Sequence, residues 1–186
     1  LETERFALRS LRPSDASARY RGWIADDDIM NPLNMPGRAL TEQALRAHIG
    51  EFDNRSRYLV GMFDKESRLR FGIFLIDVAL QQRLARLQYF IGDRQFRGIG
   101  ALRETMAALV SYLFARRGIE KIAAQVSTDN AASIAALTAL GFRTEGLQQH
   151  DGAQTAHGEE RADDERHDRP ADRPASDRAP AHGDHR

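Results

Sequence analysis

Apolar residues at the start of this chain recur at every second position. Between Glu4 and Leu11, Phe6 and Leu8 alternate with arginines before Pro13 ends the run, which is the pattern of a strand with one buried face. Ser14 and Asp15 are N-cap residues and predict a helix to about Ala25 that carries Tyr20, Trp23 and Ile24 into a core. Asp26, Asp27 and Asp28, then Asn31-Pro32 and Met35-Pro36-Gly37, predict a loop, after which Thr41 caps a second helix to roughly Phe52. Three extended runs follow, Arg57 to Asp64, Leu69 to Val78 and Arg83 to Gly92, and the short polar breaks between them predict an antiparallel meander. The middle run holds Ile73, Phe74, Leu75 and Ile76 in succession, so it is expected at the centre of the sheet with helices on both faces.

The period then changes to that of a helix. Leu102, Met106, Leu109 and Leu113 recur at steps of four and three, with Tyr112 and Phe114 expected to widen the stripe, and Gly118 closes the helix. Ile119 to Ser127 reads as a fifth strand. A strand, a helix and a second strand in this order need a crossover, so the last meander run and the fifth strand are expected to be parallel neighbours. Asn130 opens a short helix with Ile134, Leu137 and Leu140 inward, and Gly141 ends it before Phe142. The chain is thus expected to be α/β (α+β), a mixed and mostly antiparallel sheet with helices on both faces.

Composition changes abruptly after Leu147. From His150 to Arg186 there is no Val, Ile, Leu, Met, Phe, Trp or Tyr, so residues 148–186 are expected to be a disordered Arg/Asp/His/Ala/Pro-rich tail after one folded domain over residues 1–147. Five of the 6 histidines lie there, at His150, His157, His167, His182 and His185, too irregularly spaced to predict a metal site. The 186 residues contain no cysteine, which excludes a thiol nucleophile, a disulfide framework and cysteine-ligated metals. Formal net charge is +0, and basic residues are not clustered among aromatics, so a nucleic-acid partner is not expected. The apolar stretches are too short or too charged to span a bilayer, and a soluble, cytoplasmic protein without a membrane partner is expected.

Candidate chemistry centres on Gln95-Phe96-Arg97-Gly98-Ile99-Gly100-Ala101, a turn from strand to helix. Two glycines allow close approach of a ligand, and the helix behind them presents free N–H groups and the positive end of its dipole, which suits a phosphate. A dinucleotide fingerprint needs a third glycine where Arg103 stands, and the mononucleotide loop needs a Gly-Lys-Ser/Thr that the chain lacks.

The order of elements, the Gln-x-x-Gly-x-Gly of Gln95 to Gly100, and the block from Asn130-Ala131-Ala132-Ser133-Ile134 to Leu140-Gly141-Phe142 together resemble the GNAT superfamily of N-acetyltransferases from Leu1 to about Leu147. Glu2 to Arg9, and Asn130 with Ser133-Ile134, look most like the branch named for the ribosomal-protein alanine acetyltransferases, RimJ and RimL. The resemblance implies transfer of an acetyl group from acetyl-CoA to a primary amine, on a protein N-terminus or a small molecule, by direct attack in a ternary complex. It implies that the N–H groups of Arg97, Gly98, Ile99, Gly100 and Ala101 hold the CoA pyrophosphate, with Gln95 in the motif. Phe90, Ile91 and Gly92 would pair with the pantetheine arm, an N–H near Ile91 would polarise the thioester, and Asn130 with Ser133 would contact the arm.

The chain departs from relatives at several points. The tyrosine that many of them use to protonate the leaving thiolate corresponds to Leu137, and their glutamate base corresponds to Gln88, which cannot take a proton. Ser127, through water, and Asp77 are the remaining catalytic candidates. The run Asp26-Asp27-Asp28 lies where the family builds its acceptor site. Relatives add two strands after Gly-Phe, of which only Phe142 to Leu147 has a counterpart, so the last one or two strands are expected to be missing. The alternative to a transferase is a catalytically impaired acyl-CoA-binding domain with an interaction tail.

Overall fold

The expected alternation and periods resolve into five strands and five helices in a computed structural model, which describes residues 1–146. The unit that carries the fold is Leu1–Glu145. The expectation of a disordered tail, with its five histidines, lies almost wholly outside the described residues.

In chain order the elements are β1 (Phe6–Ser10), α1 (Ala18–Ala25), α2 (Asp27–Met30), α3 (Glu42–Gly50), β2 (Arg57–Asp64), β3 (Arg70–Ala79), β4 (Leu84–Ile91), α4 (Ala101–Arg117), β5 (Lys121–Ala124) and α5 (Ala131–Ala139). The sheet runs β1-β2-β3-β4-β5, antiparallel up to β4, and β5 lies parallel to β4 as the crossover requires. Among the described residues no strand follows β5.

Each face of the sheet buries one cluster, because successive strand residues point to opposite sides. Phe74, Ile76, Leu87 and Tyr89 pack with Met106, Leu109 and Leu113 of α4 and Leu137 of α5. Ile73 and Phe90 pack on the other face with Tyr20, Trp23, Ile24, Leu45 and Ile49 of α1 and α3. Each fully buried side chain of this size stabilises the fold by about 1.5–3 kcal/mol relative to exposure, so α4 and the helices α1 and α3 hold β3 and β4 from both sides.

Four expectations are corrected. The cap of α1 is Ser17, which accepts from the Tyr20 N–H, while Ser14 and Asp15 fall in a 3-10 turn over Pro13–Asp15. The acidic run is no open loop: Asp26 caps the Asp28 N–H and starts α2. Tyr112 and Phe114 leave the α4 stripe and stand exposed. Ile134 is also exposed, and Leu137 is the buried residue of α5. Those side chains sit just off the apolar stripe of their helices, and packing against a sheet edge as short as β5 reaches only its centre line.

Candidate active site

The alternation of β4 decides which of its backbone groups are available. Gly92 donates to the Phe71 carbonyl of β3 at 2.9 Å, and Gly72 lies opposite Ile91, so by the two-residue period of an antiparallel ladder Phe90 and Gln88 also turn their backbone groups to β3. Tyr89 and Ile91 turn theirs the other way. On that side the pairing with β5 ends at Leu87 opposite Ala124, so the edge of β4 from Gln88 to Ile91 has no strand beside it among the described residues. A cleft between two parallel strands results.

Of the three residues expected to pair with an extended ligand, only Ile91 therefore presents its backbone to the cleft. The Phe90 side chain is buried against Trp23, with ring centroids 6.2 Å apart and nearly perpendicular. Gly92 is a glycine for steric reasons, because a Cβ there would lie 2.2 Å from Trp23 Cδ2.

Asp93 opens the turn that follows. Its carboxylate accepts the Gln95 N–H at 3.3 Å and lies 3.5 Å from Gln95 Nε2, so Gln95 holds the turn rather than facing the cleft. The Arg97 N–H is likewise engaged, by Arg94 O at 3.0 Å, and the Arg97 guanidinium closes on the Ile91 carbonyl at 2.8 and 3.1 Å. The run of free backbone N–H groups is consequently shorter than Arg97 to Ala101. It begins at Gly98.

Gly98 and Gly100 have φ of +76° and +80°, the left-handed region in which a residue with a Cβ is strained. No backbone acceptor among the described residues takes the N–H groups of Gly98, Ile99, Gly100 or Ala101, and no atom lies within 4 Å of a Cβ built at Gly98. Four unpartnered donors at the N-terminus of the 17-residue α4, with open space in front, fit a diphosphate.

α5 packs on the same face of the sheet as α4, next to Tyr89. Asn130 Oδ1 caps α5 by accepting the Ser133 N–H at 3.1 Å, so the residue implicated in ligand contact is also the N-cap. Tyr89, which sequence patterning did not single out, points its phenol to Ser133. Its Oη is buried without a hydrogen bond, and burial pushes the phenol's pKa up against a smaller opposing effect of the Ser133 hydroxyl. The signal was its position between Phe90 and Leu87, which alternation assigns to the α4 and α5 face. Leu137 is buried in the same cluster and takes part in the core.

The two residues weighed as proton carriers stand apart. Ser127 is exposed in the loop after β5, and its carbonyl accepts the Asn130 N–H at 3.0 Å. Asp77 is exposed, 3.5 Å from Arg57, and lies opposite Arg86. Five residues separate Arg86 from Ile91, about 17 Å along an extended strand. In the acidic run, Asp27 accepts the Gly37 N–H at 2.9 Å, and Asp28 is exposed, 3.9 Å from Arg94.

A sequence model of the family described as acetyltransferase (GNAT) domain matches residues 5–143. The chain belongs to the GNAT acetyltransferase family. It is an acetyltransferase, and acetyl-CoA is the acetyl donor of the family. The uncharacterized N-acetyltransferase YoaA of Bacillus subtilis (strain 168) is 27% identical over 159 residues, covering 79% of this chain and 84% of its own length. The spermidine N-acetyltransferase of Vibrio cholerae, solved with CoA and spermine, superposes with a TM-score of 0.69 at 18% identity, over 76% of this chain and 83% of that one. The ribosomal-protein-S5-alanine acetyltransferase of Vibrio fischeri gives 0.67 at 19% identity, over 78% and 84%. At such identities the likeness is one of fold, and the five-stranded mixed sheet of this GNAT chain is that fold. No helix among the described residues is long and apolar enough to cross a membrane.

Proposed function

We propose that this GNAT chain carries an acetyl group from acetyl-CoA to a primary amine, of a protein N-terminus or a small molecule, by direct attack in a ternary complex. The observation that carries the reading is the run of free N–H groups from Gly98 to Ala101 beside the open edge of β4. These N–H groups would hold the diphosphate, and the edge of β4 at Ile91, whose N–H is free while its carbonyl is held by Arg97, would line the arm as an added strand does. Asn130 uses Oδ1 as a cap, which leaves its amide N–H groups for the arm, with Ser133 alongside.

Acetyl-CoA supplies the activated thioester. The Ile91 N–H, facing the cleft, donates to the carbonyl oxygen as negative charge develops there, and its place in a fixed strand means little reorganisation accompanies the reaction. The cleft holds the neutral amine near the carbonyl, and alignment of the two reactants lowers the barrier without a covalent enzyme intermediate. Ser127, exposed in the loop after β5, would relay the amine's proton to water, and as the C–S bond breaks the CoA thiolate leaves and takes a proton from solvent. Asp77 is a poorer candidate because of its distance from the cleft and its pairing with Arg57. The likeness of Glu2 to Arg9 to the alanine acetyltransferase branch favours an N-terminal amine among the acceptors.

Calorimetric titration with acetyl-CoA, followed by thiol release in the presence of a panel of amines, tests this reading. Tight binding and turnover are expected, and Gly98→Glu is expected to abolish binding, because a side chain at φ +76° strains the turn and sets a carboxylate against the phosphates. Binding with no turnover on any amine overturns the transferase reading in favour of an acyl-CoA-binding domain. Unchanged affinity in Gly98→Glu overturns the assignment of the cradle.

A further inference from the structure

Two residues near the beginning of the chain, Thr3 and Arg5, reach the start of α4. Glu104, in the first turn of α4, accepts from Thr3 Oγ1 at 2.6 Å, from the Arg5 N–H at 2.9 Å and from Arg5 Nε at 2.8 Å. The Arg5 guanidinium, held by that carboxylate, reaches on with Nη1 to the Ile99 carbonyl at 3.2 Å, while Nη2 lies 3.6 Å from where a Cβ on Gly100 would be. A planar fork is suited to this bridge, since it has N–H groups on different edges for two acceptors at once.

Ile99 and Gly100 are joined by a trans peptide, in which the C=O and the following N–H point in opposite directions. Anchoring the Ile99 carbonyl to Arg5 therefore aims the Gly100 N–H to the far side of the turn, away from β1. Without an anchor this peptide unit is free to rotate, because a glycine at Gly100 tolerates many backbone conformations. Glu104 has a second consequence. A carboxylate in the first turn of α4 would repel an anion at the helix terminus, and Arg5 with Thr3 both turns it to β1 and compensates its charge.

We propose that Arg5, tethered by Glu104, is a positioning residue for acetyl-CoA: it fixes the Ile99–Gly100 peptide so that the Gly100 N–H donates to the diphosphate. The proposal rests on the cradle being the cofactor site. It assigns to the segment just before β1, whose sequence carries no phosphate motif, a part in cofactor affinity, and it makes the fork geometry of arginine the feature that matters.

The test is calorimetric titration of the full chain with acetyl-CoA for wild type, Arg5→Ala and Arg5→Lys, with the Gly100 amide followed by NMR and folding checked by thermal melting. Losing one charge-assisted hydrogen bond to a phosphate predicts affinity about tenfold weaker in Arg5→Ala. Arg5→Lys should be as weak within twofold, because an ammonium cannot span both acceptors in this geometry. The Gly100 amide proton should move downfield on saturation of wild type and much less in either variant. Affinity within twofold of wild type in Arg5→Ala overturns the proposal, as does full restoration by lysine or a Gly100 amide indifferent to the ligand in wild type. A wild-type chain that binds no acetyl-CoA overturns the cofactor reading itself.

Discussion

Replacing Gly92 by alanine adds one methyl group at the point where β4 enters the phosphate turn. Gly92 is not among the glycines with positive φ, so alanine suffers no backbone penalty there and the effect is purely one of space. A Cβ would meet Trp23 Cδ2, Cε2 and Cγ at 2.2, 2.4 and 2.6 Å. Carbon atoms in contact need roughly 3.5–4 Å, so the indole or the strand must move by more than an ångström. The indole has little room to move. It packs edge-on to Phe90 at 6.2 Å and to Tyr20 at 6.3 Å, and the Arg70 guanidinium lies 5.8 Å from its ring centre. Moving the strand instead breaks the Gly92 N–H bond to Phe71 O. Overpacking of this kind costs about 1–3 kcal/mol, and with neither partner free the upper half of that range is expected. For a chain of this size that corresponds to a melting temperature lowered by roughly 6–9 °C. In a Trp23→Leu background the same substitution should cost less than about 0.5 kcal/mol, a coupling that thermal melts of the four proteins would reveal. A Gly92→Ala protein melting within 2 °C of wild type, or equal costs in both backgrounds, refutes the steric account.

Other outcomes follow from the same geometry. Tyr89→Phe removes a buried hydroxyl that lies toward Ser133 but meets no well-formed hydrogen bond among the described residues, so the ligand-free protein is expected to gain about 1 kcal/mol of stability, and a loss in denaturant titration would show that the Ser133 hydroxyl satisfies the phenol. Burial raises the pKa of Glu104, but hydrogen bonds from Thr3, the Arg5 N–H and the Arg5 guanidinium overcome it and leave the carboxyl lowered. A lowered carboxyl stabilises the fold above its unfolded value, and that contribution is lost as pH falls through the folded one. Wild type should accordingly lose stability below about pH 4.5, where the unfolded group begins to take up protons, and Glu104→Gln should be less stable at pH 7 with a shallower acid limb. Parallel acid limbs in the two proteins would contradict this.

The fold was legible where periodicity is long and is reinforced by chemistry at the ends. The runs from Arg57 to Gly92 and from Leu102 to Gly118 alternate or recur cleanly, and Thr41, Asn130 and Gly118 cap as their residue types require. It was less legible where several caps compete. Ser14, Asp15 and Ser17 are all competent, and Pro13 draws the first two into a 3-10 turn, leaving Ser17 to start α1. The cradle was visible in Gly98 and Gly100, because only glycine meets their backbone angles at no cost. Its boundary was not, because whether the Arg97 N–H is free depends on a turn closed by Arg94, which residue types do not specify. Nor could sequence show that Thr3 and Arg5 meet Glu104, a contact across almost a hundred positions.

The parity of β4 links these observations into one argument about the site. Successive residues serve different neighbours: Tyr89 lies under α5, Phe90 under Trp23, Ile91 offers its backbone to the cleft, and Gly92 makes room for the indole. A one-residue slip in the register of β3 and β4 would turn the Ile91 N–H to β3 and bring the Phe90 backbone to the cleft, while setting a tyrosine against α1. The packing of Trp23 on Gly92 forbids that slip, since it would bring a side chain to the place where the indole leaves no room for a Cβ. An aromatic ring on α1 and a missing side chain at the strand's end thus fix that the Ile91 N–H faces the cleft. Arg5 does the same for the next donor along, the Gly100 N–H, by holding the carbonyl on the opposite side of its peptide. The donors that would act on the diphosphate and the thioester are backbone groups, and side chains such as Trp23 and Arg5 enter by determining the direction in which each one points.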